Sequence, residues 1–158
     1  MANQIIDVDL SAIRKKRFRI DGDDNRIIEL NTSDLKILSR LKEAYPKLIE
    51  LGNKAAEGLP QEDDADLTDL TGESVTKVVR VVDEIDKEMR QLIDYIFDSE
   101  VSDICAPSGS MYDPIGGMFR YEHIIAVLSN LYETNINSEI NQIASKVKKH
   151  TSKYSKRK

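Results

Sequence analysis

Cys105, Ser108, Ser110, Asp113 and His123 fall within one short stretch, CAPSGSMYDPIGGMFRYEH, which holds the only cysteine and one of the two histidines of the chain. A thiol or hydroxyl becomes a nucleophile when a base and an orienting group lie within hydrogen-bond reach. Neither requirement is met by the spacing here. The serines sit in PSGSM, which lacks the GxSxG elbow that exposes a nucleophilic hydroxyl. His123 is the only nearby base for Cys105, and a small buried thiol is the reading that composition favours. His123 itself follows Glu122 at a predicted helix start, where a capping or surface role fits. Gly116-Gly117 belongs to neither a GxxxxGK[ST] loop nor a GxGxxG fingerprint.

Metal chemistry fares no better. Asp21, Asp23 and Asn25 match positions 1, 3 and 5 of a calcium loop, which then needs glycine at 6 and a bidentate glutamate at 12. Arg26 and Thr32 stand there instead. His123 and His150 lack zinc-site spacing, and one cysteine completes no ligand set. Adjacent carboxylates such as Asp83 and Glu84 fall on a polar helix face. The sequence therefore assigns no catalytic residue, no metal and no cofactor. Two basic clusters remain, Arg14–Arg19 and the lysine-rich end after Val147. Clustered positive charge suffices for phosphate contact, but no base-reading motif accompanies either cluster and the overall balance is acidic. Nucleic acid is thus disfavoured as a partner.

The elements that must carry these residues follow from size and periodicity. With 158 residues, 40% of them apolar, the chain matches one ordinary domain, burying roughly 70% of its unfolded surface. No apolar run reaches the roughly 20 residues of a membrane span, and MANQIIDVDL lacks the basic-then-apolar plan of a signal peptide. A cytoplasmic protein is expected. The net charge of −5 conceals a segregation: residues 1–54 carry a net +2, residues 55–104 a net −11, and residues 105–158 a net +4.

In KKRFRIDGDDNRIIEL, apolar and charged residues alternate on both sides of Asp21-Gly22, which predicts a β-hairpin over 16–30. The capping cluster NTSD then introduces a helical face of Leu35, Leu38, Leu41, Tyr45, Leu48 and Gly52. Pro46 makes this either one kinked helix or two helices. An acidic flexible loop is expected over 58–73. Val75, Val78, Val82, Ile85, Met89, Leu92 and Ile96, widened by Val79, Ile93 and Phe97, form a stripe that suits a core helix. A coiled coil joining copies in a homo-oligomer is the alternative. Tyr121, Ile124, Ile125, Leu128, Leu131 and Tyr132 mark a third helical face. Ile136, Ile140, Ile143 and Val147 mark a fourth, entered through TNINS. The expected fold is mainly α, a small bundle of about four helices with an N-terminal β-hairpin. Residues 1–15 are a leading segment, 16–147 the domain, and 148–158 a basic disordered tail.

KKRFRIDGDDNRIIELNTSDLKILSRLKEAYPKL, an acidic stretch, IDKEMRQLIDYIFDSEVSDICAPSGSMYDP, FRYEHIIAVL and a lysine-rich end near KKHTSKY follow one another in this chain. This order of parts resembles the tail assembly chaperones encoded in tail modules of long-tailed phages and prophages of Gram-positive bacteria. The resemblance implies a non-enzymatic, mostly helical protein of the host cytoplasm, absent from the finished virion. Its implied partners are the tape measure protein, and the tail tube protein that polymerises around it. It also implies a longer frameshifted product, for which the lysine codons near Lys148-Lys149 or Ser155–Lys158 would be slippery. A chaperone of this kind needs apolar grooves that accept amphipathic helices. Met111, Tyr112, Met118, Phe119 and Tyr121 are the candidates either to pack the 105–119 turn onto the bundle or to bind the client. Another phage structural or regulatory binding protein, one using its basic tail on nucleic acid, is the competing expectation.

Overall fold

The structure is a computed structural model that describes residues 3–60 and 68–156. Strands β1 (Lys16–Ile20) and β2 (Asp23–Leu30) pair antiparallel around Asp21 and Gly22, whose φ angles of 53° and 72° are those of a tight primed turn. Arg26 binds Asp21 here, so the would-be calcium loop is a hairpin turn closed by an ion pair. Phe18 faces Ile28 across the ladder, and Ile28 and Leu30 are fully buried. One face of the hairpin therefore roofs the core, while Arg17, Arg19 and Glu29 face solvent.

Asp34 accepts a hydrogen bond from the Lys36 amide at 2.9 Å, and α1 (Lys36–Gly58) begins there. The chain forms one helix through Pro46 rather than two. Proline leaves the Lys42 carbonyl without its donor, but both residues lie on the exposed side, where water can serve. The core face differs from the expected one. Ile37, Ala44, Leu51 and Ala55 are buried and Leu41 and Leu48 pack against them, whereas Leu35, Leu38 and Tyr45 are exposed. Helix α1 carries two apolar faces, and the bulkier pattern is the outer one.

Helix α2 (Glu73–Arg80) passes through a π-helical segment (Val81–Ile85) into α3 (Asp86–Phe97) without a break. The Asp86 amide bonds to the Val81 carbonyl, five residues back. This one-residue insertion shifts the phase of the stripe. Val81 is buried in place of Val82, and Ile85, Met89, Ile93, Ile96 and Phe97 follow it inward. From Val81 to Phe97 the stripe is core within one chain, whereas Val79, expected to widen it, is exposed and Val75 and Val78 are only half-buried. The expected acidic loop is only partly within view: residues 61–67 lie outside the described residues, and a turn at Asp69–Gly72 leads into α2.

Asp98, at φ 48°, ends α3 in the left-handed conformation that aspartate tolerates. A short helix α4 (Ser102–Cys105) and a two-residue hairpin, β3 (Pro114–Ile115) and β4 (Met118–Phe119), lead into α5 (Arg120–Lys156). Its 37 residues span about 55 Å. Two expectations are corrected here. The third and fourth helical faces belong to one helix, and the expected disordered tail is helical as far as Lys156. No glycine or proline follows Gly117, so nothing at TNINS or in the lysine-rich end stops propagation. Leu128 and Tyr132 bury the first half of α5 against the core, while every side chain from Asn137 to Lys148 is exposed. The helix projects beyond the body. Among the described residues, no helix is long and apolar enough to cross a membrane.

Candidate functional site

The 98–119 connection owes its shape to charged side chains reaching main-chain groups. Asp94 caps α4, accepting from the amides of Val101 and Ser102 at 2.9 and 2.8 Å. Asp86, nearly buried, accepts from the Met111 amide and the Ser110 hydroxyl, and holds Arg90 Nε at 2.9 Å. Arg90 in turn donates to the carbonyls of Ala106 and Gly109, at 2.9 and 3.0 Å, and to Asp103 at 2.8 Å. Burial opposes the guanidinium charge, yet the hydrogen bonds and charges of Asp86 and Asp103 raise its pKa. Arg26 donates to the carbonyls of Ile104 and Cys105, which fastens the hairpin to α4. Arg120 spans Ser108 and Asp113. Gly109 adopts φ 82°, and a Cβ there would stand 2.5 Å from Asp113 Oδ2. The position needs glycine on both counts.

These hydrogen bonds tie the connection to α3 and β2, and burial weakens its thiol as a nucleophile. Burial pushes the Cys105 thiol up to about 11, with Arg26 only partly opposing, so the thiolate that would attack is scarce at neutral pH. His123 Nε2 lies 2.7 Å from the Ile115 carbonyl, fixing the small β3–β4 hairpin to α5. Cys105, His123 and Asp21 border the same groove, but His123 Nε2 is engaged by the Ile115 carbonyl and Asp21 by Arg26. Among the described residues, no group of three or more His, Cys, Asp or Glu is arranged to hold a metal ion.

The five candidate residues divide by burial. Met111 and Tyr112 are core, 0% and 2% exposed, and so pack the turn rather than meet a client. Tyr112 makes edge-on contacts with Phe119 and Tyr121 at centroid distances of 5.5 and 5.3 Å, while Phe119 and Tyr121 stack at 6.0 Å. Phe119 is half-buried by this cluster, and Met118 is exposed on β4. Tyr121 is different. Its ring passes from the aromatic cluster into a groove of about 460 Å³ between α1 and α5.

That groove is an open apolar surface reached by a candidate residue. Tyr45, Leu48, Ile49 and Gly52 of α1 form one wall, and Tyr121 and Ile125 of α5 the other. Tyr45 and Ile49 are largely exposed. These two residues were missed as surface features because spacing alone placed Tyr45 in the core. The available signal was the second apolar series on α1, Ile37, Ala44, Leu51 and Ala55, which competes for the inward position. Beyond the groove, Ile140, Ile143 and Val147 continue an exposed apolar stripe along α5, flanked by Lys146 and Lys148. The arrangement can bind an amphipathic helix through alternating three- and four-residue anchors. No protein-family model, curated protein or solved structure matches the chain.

Proposed function

We propose that the chain is a tail assembly chaperone of a long-tailed phage, a non-enzymatic protein that binds amphipathic helices of the tape measure protein before the tail tube protein polymerises around it. The order of sequence parts is the ground for proposing this family. The observation that carries the reading to the molecule is the α1–α5 groove, an open apolar trough held on two rigid helices and lined by Tyr45, Ile49, Tyr121 and Ile125. A long helical client left alone would expose apolar stripes, and a trough of this chemistry covers one.

The test is co-expression with a candidate tape measure protein from the same genome, followed by capture on a tag carried by this chain. Wild type is expected to retain the client. Tyr45→Glu with Ile49→Asp, both on exposed positions, is expected to weaken retention about tenfold or more, since hot-spot anchors commonly contribute at least that much. Its melting temperature should stay unchanged. Failure of wild type to retain the client overturns the chaperone reading. Retention unaffected by the double substitution overturns the groove as its site.

A further inference from the structure

The leading segment of the chain contains an unused strand sequence. Residues 6–10 read IDVDL, strict alternation with Ile6, Val8 and Leu10 on one face and Asp7 and Asp9 on the other. Among the described residues this segment belongs to no helix or strand and makes no main-chain hydrogen bond to β1. Every residue from 3 to 17 is exposed, with Ile6 at 77% and Val8 at 76%. A turn at Ser11–Ile13, closed by the Asp9 carboxylate accepting from the Ser11 amide at 2.9 Å, separates the arm from β1.

Strand β1 offers the matching surface. Among the described residues its main chain bonds only to β2, so its outer edge is unpaired. Phe18 and Ile20 of β1 look into an apolar groove of about 490 Å³ whose far wall is Ile124, Val127 and Leu131 of α5. The charged ends of Arg17 and Arg19 are exposed and pair with Glu29 and Asp24 of β2. Arg19 also borders the groove, so the arm's aspartates would share these cations with β2. Antiparallel addition of the arm in one register places Val8 opposite Phe18 and Ile6 opposite Ile20, both toward the groove. The same register places Asp9 opposite Arg17 and Asp7 opposite Arg19. Directly opposed pairs of this kind are what stabilise a sheet, and a one-residue slip would lose both sets together.

We infer that residues 6–10 of one copy add as a third strand to the β1 edge of a second copy, so that two chains exchange arms. A second copy is the occupant favoured because the arm leaves its own domain exposed, while its apolar and acidic faces complement the apolar and basic faces of β1. Exchange of identical segments also covers an edge that would otherwise invite indiscriminate pairing. The inference does not depend on the client or on the α1–α5 groove.

Sedimentation of the full chain over a concentration series tests it. Wild type is expected to form a reversible dimer, and Val8→Asp, a change at an exposed position of the single chain, to remain a monomer. Asp7→Arg with Asp9→Arg should weaken association about tenfold, as should Arg17→Asp with Arg19→Asp, on the scale of two cross-strand charge pairs inverted. The four changes together should recover association to within about threefold, because the pairs are restored with opposite sense. A wild-type chain that stays monomeric overturns the inference, including the case where hydrogen exchange finds the arm protected on its own β1. A dimer that persists in Val8→Asp, or a fourfold variant whose β1–β2 amides keep wild-type exchange protection despite the lost Arg17–Glu29 and Arg19–Asp24 pairs and that still fails to recover, also overturns it.

Discussion

Arg90 reaches from α3 to main-chain carbonyls on both sides of Pro107 while paired to nearly buried Asp86. Removing one partner of such a pair leaves the other charge buried and unpaired, a loss of about 3–5 kcal/mol. Arg90→Met is therefore expected to lower stability by that order in urea unfolding, with the 105–119 amides losing hydrogen-exchange protection first. An unchanged midpoint would mean the carbonyls find water without cost. Cys105 gives a pH-dependent counterpart. Its folded pKa of about 11 lies above the ordinary 9.0 because burial disfavours the thiolate. The unfolded chain therefore releases this proton first, so the contribution is intact below pH 9 and is lost as pH rises toward 11. Native alkylation at pH 8 should be much slower than in urea, and equal rates would place the thiol in solvent. The prolines and glycines of CAPSGSMYDPIGG marked the chain reversal from sequence alone. The Asp86–Arg90 clamp could not be read the same way, because an i,i+4 acid–base pair on a helix looks identical whether it faces solvent or a loop.

At the scale of elements, the hairpin was legible because Asp21-Gly22 interrupts strict alternation, which few other structures satisfy. The helical stripe over 75–97 was legible in kind but not in phase, since the π segment at Val81–Ile85 has no marker in the residues themselves. On α1, two apolar series compete, and only packing against α3 decides that Ile37, Ala44 and Leu51 turn inward. Ile85→Asp should consequently unfold the domain or leave it insoluble, because that position is 5% exposed within the packed stripe. A soluble variant with wild-type melting temperature would be incompatible with the described core. The far half of α5 behaves oppositely. Its side chains from Asn137 to Lys148 contact solvent, so truncation after Val147 should shift the melting temperature by no more than about 2 °C, which is at most about 1 kcal/mol for a domain of this size. A larger loss would require the lysine-rich end to stabilise the body.

At the scale of the whole molecule, charge and apolar surface are arranged together. The acidic residues concentrate in the segment containing α2 and α3, while α5 ends in lysines beside its exposed stripe of Ile140, Ile143 and Val147. A client helix extending from the α1–α5 groove along that stripe would meet apolar anchors first and cations at the rim. Rim charges act mainly on encounter and are screened by salt, whereas buried apolar contacts are not. Raising sodium chloride from about 0.05 to about 0.5 M should therefore weaken tape measure capture by roughly tenfold without abolishing it. Lys146→Glu with Lys148→Glu should reproduce that loss at low salt and flatten the remaining dependence. A double-stranded DNA probe measured in parallel separates this account from nucleic-acid binding. Counterion release makes phosphate binding fall far more steeply, by about three orders of magnitude or more over a few-fold rise in salt for a protein contacting several phosphates. Capture of client that ignores both salt and the lysine substitutions, beside DNA binding that collapses with each, would assign the basic end of α5 to nucleic acid and confine the client to the groove.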